Sequence, residues 1–308
     1  MRVIVLGSTG YAGMTLMRIL ARHPDVTSIV PVSRSAAGAP VRETDPGLGV
    51  AIEKLLGESK GAYVTLEDAK PEQADAILSA LPHGAAAKLL GPYVGSVPVI
   101  DLSADFRIAD VASYEETYAT THPYPELLSG AVYGLTEWHR EEIAKAAVIA
   151  CPGCYPTATL LPLLPFTDVI KWPVVVNALS GISGAGRKEK RDLLYNERSE
   201  NINAYNPGRV HRHVPEIEQE LARARAAKAR AARQSDAAGA PQVLFTPHLV
   251  PVKQGMFVSI VAELTEPITQ AQAEERIRAA YEGSSFVGLS PRGIPETRDV
   301  RNSNRCDL

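Results

Sequence analysis

Arg2-Val-Ile-Val-Leu-Gly-Ser-Thr-Gly-Tyr-Ala-Gly13 decides the fold. A β-branched apolar run ends in glycines, and residues 14–22 then repeat with helical periodicity, so the order is strand, glycine turn, helix. Glycine permits the tight turn and lets the backbone approach a pyrophosphate, which then rests on the helix N-terminus. Gly7, Ser8, Thr9, Gly10, Tyr11, Ala12 and Gly13 are therefore the expected contacts of a dinucleotide. The plainer reading is a glycine-rich loop that holds nothing.

Further strand-helix alternation follows. The second strand, residues 26–32, runs into Ser33-Arg34-Ser35, where an NAD enzyme usually places a carboxylate for the ribose 2′-hydroxyl; Asp25 lies at the wrong end. A guanidinium between two hydroxyls suits a 2′-phosphate instead, so NADP is the expected cofactor. Residues 74–81 read as a buried strand ending in Pro82-His83-Gly84, and residues 97–102 as another ending in Ser103-Ala-Asp-Phe-Arg107. Ligands gather at the strand C-termini of open parallel sheets. Pro82 and His83 are thus expected at the cofactor, and Arg107 where its fork can clasp a substrate carboxylate. A loop histidine satisfied by backbone is an equal reading of His83. His122 and His139 are given no chemistry.

In Ala150-Cys-Pro-Gly-Cys-Tyr-Pro-Thr157 a thiol sits in a turn followed by an apolar helix, with Pro156 suited to its first position. Unpaired N–H groups at a helix start favour an anion, which makes Cys154 a candidate nucleophile rather than a buried structural thiol. The strand at residues 173–179 runs into Ser180-Gly-Ile-Ser-Gly-Ala-Gly-Arg-Lys188. There Ser180, Gly181, Ser183 and Gly184, rimmed by Arg187 and Lys188, are expected to form a backbone nest for phosphate. Tyr205 and Arg209 lead to His211-Arg-His-Val-Pro-Glu216. Histidines two apart cannot share a helix face, so at least one belongs to a turn. Either His211 or His213 suits a neutral base for Cys154, with Glu216 orienting the ring. A metal site built on Cys151 and Cys154 lacks a second paired motif and would occupy the thiolate, so no metal is expected.

Residues 221–240 are rich in Ala and Arg and read as a solvated helix running into a flexible loop at 235–239, with nucleic-acid binding a distant second reading. Residues 243–251 and 256–264 read as paired strands around Lys253-Gln-Gly255, giving a mainly antiparallel second sheet. With 308 residues, 45% hydrophobic, 22% charged and a net charge of −3, the chain suits two globular domains and neither nucleic acid nor an anionic membrane. Three cysteines fit a reducing cytosol, and the N-terminal run lacks the core of a signal peptide, so a cytoplasmic location is expected.

Taken together, the glycine turn, Asp101–Arg107, Pro152–Thr157, Ser180–Gly186 and His211–Glu216 resemble N-acetyl-γ-glutamyl-phosphate reductase in order and spacing along nearly the whole chain. The resemblance implies an α/β protein: an N-terminal Rossmann NADP-binding domain at 1–149, and at 150–296 an α+β domain of the glyceraldehyde-3-phosphate dehydrogenase C-terminal type for catalysis and oligomerisation. Residues 297–308 are expected to return to the first domain. It further implies an arginine-biosynthesis enzyme in which Cys154 attacks the acyl phosphate and NADPH reduces the thioester to N-acetyl-glutamate 5-semialdehyde. His213 or His211 would move the proton, Arg107 or Arg209 would hold the carboxylate, and the enzyme would be a homodimer or homotetramer. Cys151 stands where the family has a non-thiol, so a Cys151–Cys154 disulfide masking the nucleophile is one expectation. Family members continue some thirty or more residues past the match to Val300–Arg305, and a chain ending at Leu308 is expected to bind NADP poorly or to be inactive. The rivals are the carrier-bound aminoadipyl-phosphate reductase of lysine biosynthesis, a non-catalytic NADP-binding sensor or degenerate paralogue, and, further off because His211-Arg-His213 is not its usual pattern, aspartate-semialdehyde dehydrogenase.

Overall fold

The computed structural model describes residues 1–232 and 239–308. It divides into two compact units, Met1–Gly153 and Cys154–Leu308, just after the cut expected from sequence.

In the first unit β1 (Arg2–Leu6), β2 (Ser28–Val32), β3 (Ala76–Ser79), β4 (Val99–Asp101), β5 (Val132–Tyr133) and β6 (Val148–Ala150) form one parallel sheet in the order β2-β1-β3-β4-β6-β5. Both faces are covered, which explains the unbroken apolar runs. Ile4 and Leu6 of β1 pack with Ile77, Val99, Phe106 and Tyr114 on one side. Val3 and Val5 pack with Met17, Ile29, Ile52 and Tyr63 on the other. The helix Tyr11–Leu20 buries Gly13, Met17 and Leu20, a stripe spaced four and three residues apart. Truncating the fully buried Met17 to Ala costs on the order of 2–5 kcal/mol. The short strand β5, in a stretch read as loops and one helix, adds a sixth position beside β6.

In the second unit β7 (Ile170–Gly181), β8 (Asn203–Ala204), β9 (Val243–Val250) and β10 (Met256–Leu264) form a mixed sheet in the order β10-β7-β9-β8. This corrects the expected pairing of the last two long strands. β7 lies between them, antiparallel to β10 and parallel to β9. The physical reason is the apolar inner edge of β7, whose Val174, Val176 and Ala178 are wholly buried. The turn after β9 takes up the end of β7: Gly181, Ile182 and Ser183 donate their N–H groups to the carbonyls of Gly255, Val252 and Lys253.

The helix His213–Ala232 packs Val214, Ile217 and Leu221 into the core. Its cationic half is not simply solvated. Arg225 is buried and donates to the Gly239 carbonyl. Lys228 caps the carbonyls of Leu164 and Pro165, at 3.1 and 3.0 Å, and pairs with Asp168. The loop expected at 235–239 lies, except for Gly239, outside the described residues. Residues 297–308, expected to return to the first unit, belong to the second: β11 (Val287–Gly288) pairs with β12 (Cys306–Asp307), and Cys306 and Leu308 donate to the carbonyls of Phe286 and Gly288. Among the described residues, no helix is long and apolar enough to cross a membrane.

Candidate active site

The first unit carries a glycine turn that only glycine can make. Gly7 has φ of +70°, and a Cβ on it would lie 2.5 Å from the Ala80 carbonyl oxygen at the end of β3. A Cβ on Gly13 would lie 2.3 Å from the Gly7 oxygen, so the helix start is pressed against the turn. Gly10 is the N-cap and supplies no side-chain acceptor, which leaves the first-turn N–H groups to backbone-bound ligands. Ser8 is turned inward, its hydroxyl donating to the Val32 carbonyl at 3.0 Å. At the end of β2, Ser33 is buried, while Arg34 and Ser35 are exposed and Arg34 forms no ion pair among the described residues. This cradle fits a dinucleotide carrying a 2′-phosphate.

His83 reaches Asp105 rather than backbone, its Nδ1 2.8 Å from Oδ1 in a short, bent contact, and its ring lies 4.1 Å from that of Tyr118. Asp105 is wholly buried and accepts the N–H groups of Gly84 and Ala87 at 2.7 and 3.0 Å. Burial alone would raise its pKa, but those donors and His83 hold it below the usual carboxylate value. Asp105 thus pins the loop that carries Pro82 and His83. His122 is structural: it contacts the Asp105 carbonyl and accepts the Tyr124 N–H.

Arg107 does not present a free fork. It is buried, with Nε donating to the Cys151 carbonyl and Nη2 to the Leu102 carbonyl, both at 2.7 Å. In this conformation it braces the turn that precedes Cys154. Among the described residues Cys151, Cys154 and Cys306 are in no disulfide, so the structure does not contain the Cys151–Cys154 bridge that was one expectation. Burial, with Asp101 nearby, pushes the Cys151 thiol up to about 11.

In the second unit Cys154 is exposed and is the first residue of the ten-residue helix Cys154–Leu163. The helix begins two residues ahead of expectation, which leaves Pro156 in the first turn, where a missing N–H costs no intrahelical bond. Behind the thiol the aromatic groups converge. Tyr155, 3% exposed, sets its ring edge-to-face with His211 at 5.7 Å, His213 at 6.0 Å and Phe245 at 5.1 Å. The two imidazoles are 4.9 Å apart although they are separated by one residue, because His211 closes the turn and His213 starts the helix. Glu216, wholly buried in that first turn, places Oε2 4.0 Å from His213 Nε2. Tyr205 donates its hydroxyl to that of Tyr155 at 2.9 Å. Burial raises both phenol pKa values, and the charge of Cys154 adds to the rise.

Two expected groups are otherwise engaged. The nest at Ser180–Gly184 does not form as an anion site, because the N–H groups of residues 181–183 are bonded to the turn after β9. Ser180 donates to the Gly181 carbonyl, while Ser183 is half-buried and Gly184, Arg187 and Lys188 are exposed. Arg209 pairs through both terminal nitrogens with Glu218. Sequence reading passed over Tyr155, Asp105 and Asp101. Their signal was adjacency: Tyr155 follows the thiol, and both aspartates sit beyond the C-terminal end of β4 or at it.

A cavity of about 700 Å³ opens beside Cys154, lined chiefly by apolar groups such as Ala158, Leu163, Met256 and Val258. Among the described residues no three His, Cys, Asp or Glu side chains are grouped to hold a metal ion.

Residues 2–146 match the semialdehyde dehydrogenase NAD binding domain and residues 154–308 the semialdehyde dehydrogenase dimerisation domain. Curated relatives named N-acetyl-gamma-glutamyl-phosphate reductase include that of Geobacter sp. (strain M21), 40% identical over the whole of this chain and 85% of its own length. The probable chloroplastic one of Arabidopsis thaliana is 36% identical over the whole of this chain and 73% of its own. Among solved structures, aspartate semialdehyde dehydrogenase II of Vibrio cholerae, complexed with ASA, superposes with a TM-score of 0.64 at 17% identity, covering 98% of this chain and 85% of that one. Aspartate semialdehyde dehydrogenase of Candida albicans with NADP gives 0.58 at 15%, covering 96% and 84%. These two likenesses speak for the fold.

Proposed function

The chain belongs to the N-acetyl-gamma-glutamyl-phosphate reductase family, and from that membership we propose that it reduces N-acetyl-glutamyl 5-phosphate to N-acetyl-glutamate 5-semialdehyde, with release of phosphate, in arginine biosynthesis. The observation that carries the chemistry is an exposed thiol at a helix start, backed by two buried histidines around Tyr155. The positive dipole end of that helix favours the thiolate.

Cys154 Sγ attacks the acyl carbon, the bond to the phosphate oxygen breaks, and a thioester is left on the enzyme. NADPH, when bound, supplies the hydride that takes a thioester to the aldehyde level. Gly7–Gly13 would hold its pyrophosphate, and Ser33, Arg34 and Ser35 its 2′-phosphate, in preference to NAD. His213, with Glu216 beside Nε2, accepts the thiol proton and returns one to sulfur as the aldehyde leaves. Arg187 and Lys188 are the exposed cations for the departing phosphate. A substrate carboxylate would compete with Glu218 for Arg209.

Copies of the chain are taken to associate, as a homodimer or homotetramer, through the outer face of the mixed sheet, where Val175 faces Val261 and Leu244 and all three are exposed. Cysteines outside any disulfide, one of them the nucleophile, suit the reducing cytosol. The test is NADP⁺ reduction with N-acetyl-glutamate 5-semialdehyde, with and without phosphate or arsenate, beside Cys154→Ala. Turnover that depends on the anion and is lost in the variant is expected. Turnover independent of either would overturn the reading.

A further inference from the structure

We propose that the cavity beside Cys154 is an acyl-chain channel, and that the thiol takes up aliphatic acyl groups from activated esters, an activity beyond the phosphate-dependent one. The inference rests on Cys154 as a nucleophile and not on N-acetyl-glutamyl 5-phosphate as its substrate.

Burial divides the helix Cys154–Leu163 into two faces. Tyr155, Pro156, Thr159, Leu160, Leu161 and Leu163 are buried, whereas Cys154 is exposed and Thr157, Ala158 and Pro162 are half-buried. Those three lie on the thiol's own side of the helix, at the spacing of one stripe, and all four residues line the cavity.

The facing wall is β10. Its Met256, Val258, Ile260, Ala262 and Leu264 alternate along the strand, line the cavity and are all half-buried. The inward residues of β7 next to it, Val174, Val176 and Ala178, are by contrast wholly buried. The difference arises because β10 is the outer strand of its sheet, which leaves about 700 Å³ open between it and the helix stripe. Among the described residues, Thr157 is the one polar side chain besides the thiol that these two walls bring to the cavity. The charged lining residues Glu296, Arg301, Arg305 and Asp307 come instead from residues 295–308, where Glu296 pairs with Arg298 at 2.5 Å and Arg305 with Asp307 at 2.7 Å. A charged acyl group therefore finds no counter-ion on either wall, and an aliphatic one needs none.

A nucleophile on the wall fixes what the occupant carries, an electrophilic carbon at the thiol with the rest of the molecule along the walls. From Cys154 to Pro162 the helix rises about 12 Å, which an extended chain of about eight to ten carbons spans. Sγ attacks the acyl carbon; the S–C bond forms as the C–O bond to the alcohol or phenol oxygen breaks. That oxygen leaves with the electron pair, and the thiol proton passes to solvent. Water then cleaves the thioester, which releases the carboxylic acid and restores the thiol. Each methylene drawn between the walls leaves water, so acylation should accelerate with chain length until the channel is filled.

The test acylates the whole chain, without NADPH or phosphate, using the p-nitrophenyl esters of acetate, butyrate, octanoate and laurate. Release of p-nitrophenolate gives the rate, and peptide mass spectrometry gives the modified residue. Relative to N-acetylcysteine as reference thiol, the second-order rate constant should rise at least about 30-fold from acetate to octanoate and then level off at laurate. The adduct should sit on Cys154 and be absent in Cys154→Ala. Ala158→Phe, which sets a ring on the stripe one turn beyond the thiol, should lower the octanoate-to-acetate ratio at least about tenfold. A rate independent of chain length, or a ratio untouched by Ala158→Phe, is what a cavity covered by another segment or a second copy would give, and either would overturn the channel. Acylation by none of the esters would overturn the nucleophile reading as well. Failure of N-acetyl-glutamate 5-semialdehyde as a substrate would leave the ester results standing, so the two readings fail separately.

Discussion

Asp101→Asn removes a carboxyl group that folding makes harder to ionise. Asp101 ends β4, is wholly buried, and accepts the Ser103 N–H at 3.1 Å and the Ser103 hydroxyl. Burial outweighs these donors and raises its pKa from 3.8 to about 6. Between those values the folded protein keeps a proton that the unfolded chain has released, so stability falls as pH rises and the loss is complete above about pH 6. At about 1.4 kcal/mol per pH unit, the whole interval is worth on the order of 3 kcal/mol, of which about 1.4 kcal/mol falls between pH 5 and 7.5. His211 acts in the opposite sense. Its pKa is lowered in the fold, so its contribution is lost as pH falls below 6.5 toward 4. The wild-type curve is the difference of two opposed slopes, and only a comparison isolates one. Urea denaturation of wild type and Asp101→Asn at pH 5 and pH 7.5 makes that comparison, because the amide alters the hydrogen bonds equally at both. Relative to wild type, the variant should gain about 1.4 kcal/mol on going to the higher pH. Parallel curves would refute the argument, since Asp101 would then titrate alike in both states.

Gly13→Ala sets a Cβ 2.3 Å from the Gly7 oxygen and 2.7 Å from Ser8 Cα, atoms of backbone that cannot turn aside. NADPH affinity by fluorescence titration should fall at least about tenfold, about 1.4 kcal/mol. Arg34→Ala should weaken NADPH binding while leaving NADH binding nearly unchanged; equal losses for both would remove the 2′-phosphate role. Lys228→Met uncovers the carbonyls of Leu164 and Pro165 and should cost about 1–3 kcal/mol in chemical denaturation. Lys171→Met breaks only the exposed pair with Glu263 and should change stability by less than about 1 kcal/mol.

Where a residue's role follows from its own covalent shape, the sequence announces it. Gly7 and Gly13 are glycine because nothing larger fits, and the buried strands β1, β3 and β4 read as apolar runs because both faces of the sheet are covered. Cys154 was legible through the helix that follows it. What failed depends on partners distant in sequence. The glycine run at residues 180–186 has the composition of a nest, but the carbonyls that satisfy it lie after β9. Arg107 and Arg209 have the right chemistry for a carboxylate, yet one holds backbone oxygens and the other Glu218. Helical spacing set His211 and His213 on different faces, which is sound for a helix and beside the point for a turn that brings the two rings within 4.9 Å at a tilt of 55°. Tyr155 was given no role from the sequence; it is core, with a site built around it.

The place of β7 in the second sheet bears on how the chain reaches its native state. β9 and β10 are joined by a turn short enough to close a hairpin within microseconds, whereas β7 must come back from far earlier in the chain to lie between them. A hairpin zipped directly from β9 to β10 is thus a local trap that has to open before β7 can enter. The final sheet is assembled from long-range pairings, which form slowly because loop closure precedes the contacts that reward it. During that delay the apolar edges of β9 and β10 lie bare, so recovery on refolding should be limited by association of the unfinished sheets and should improve with dilution.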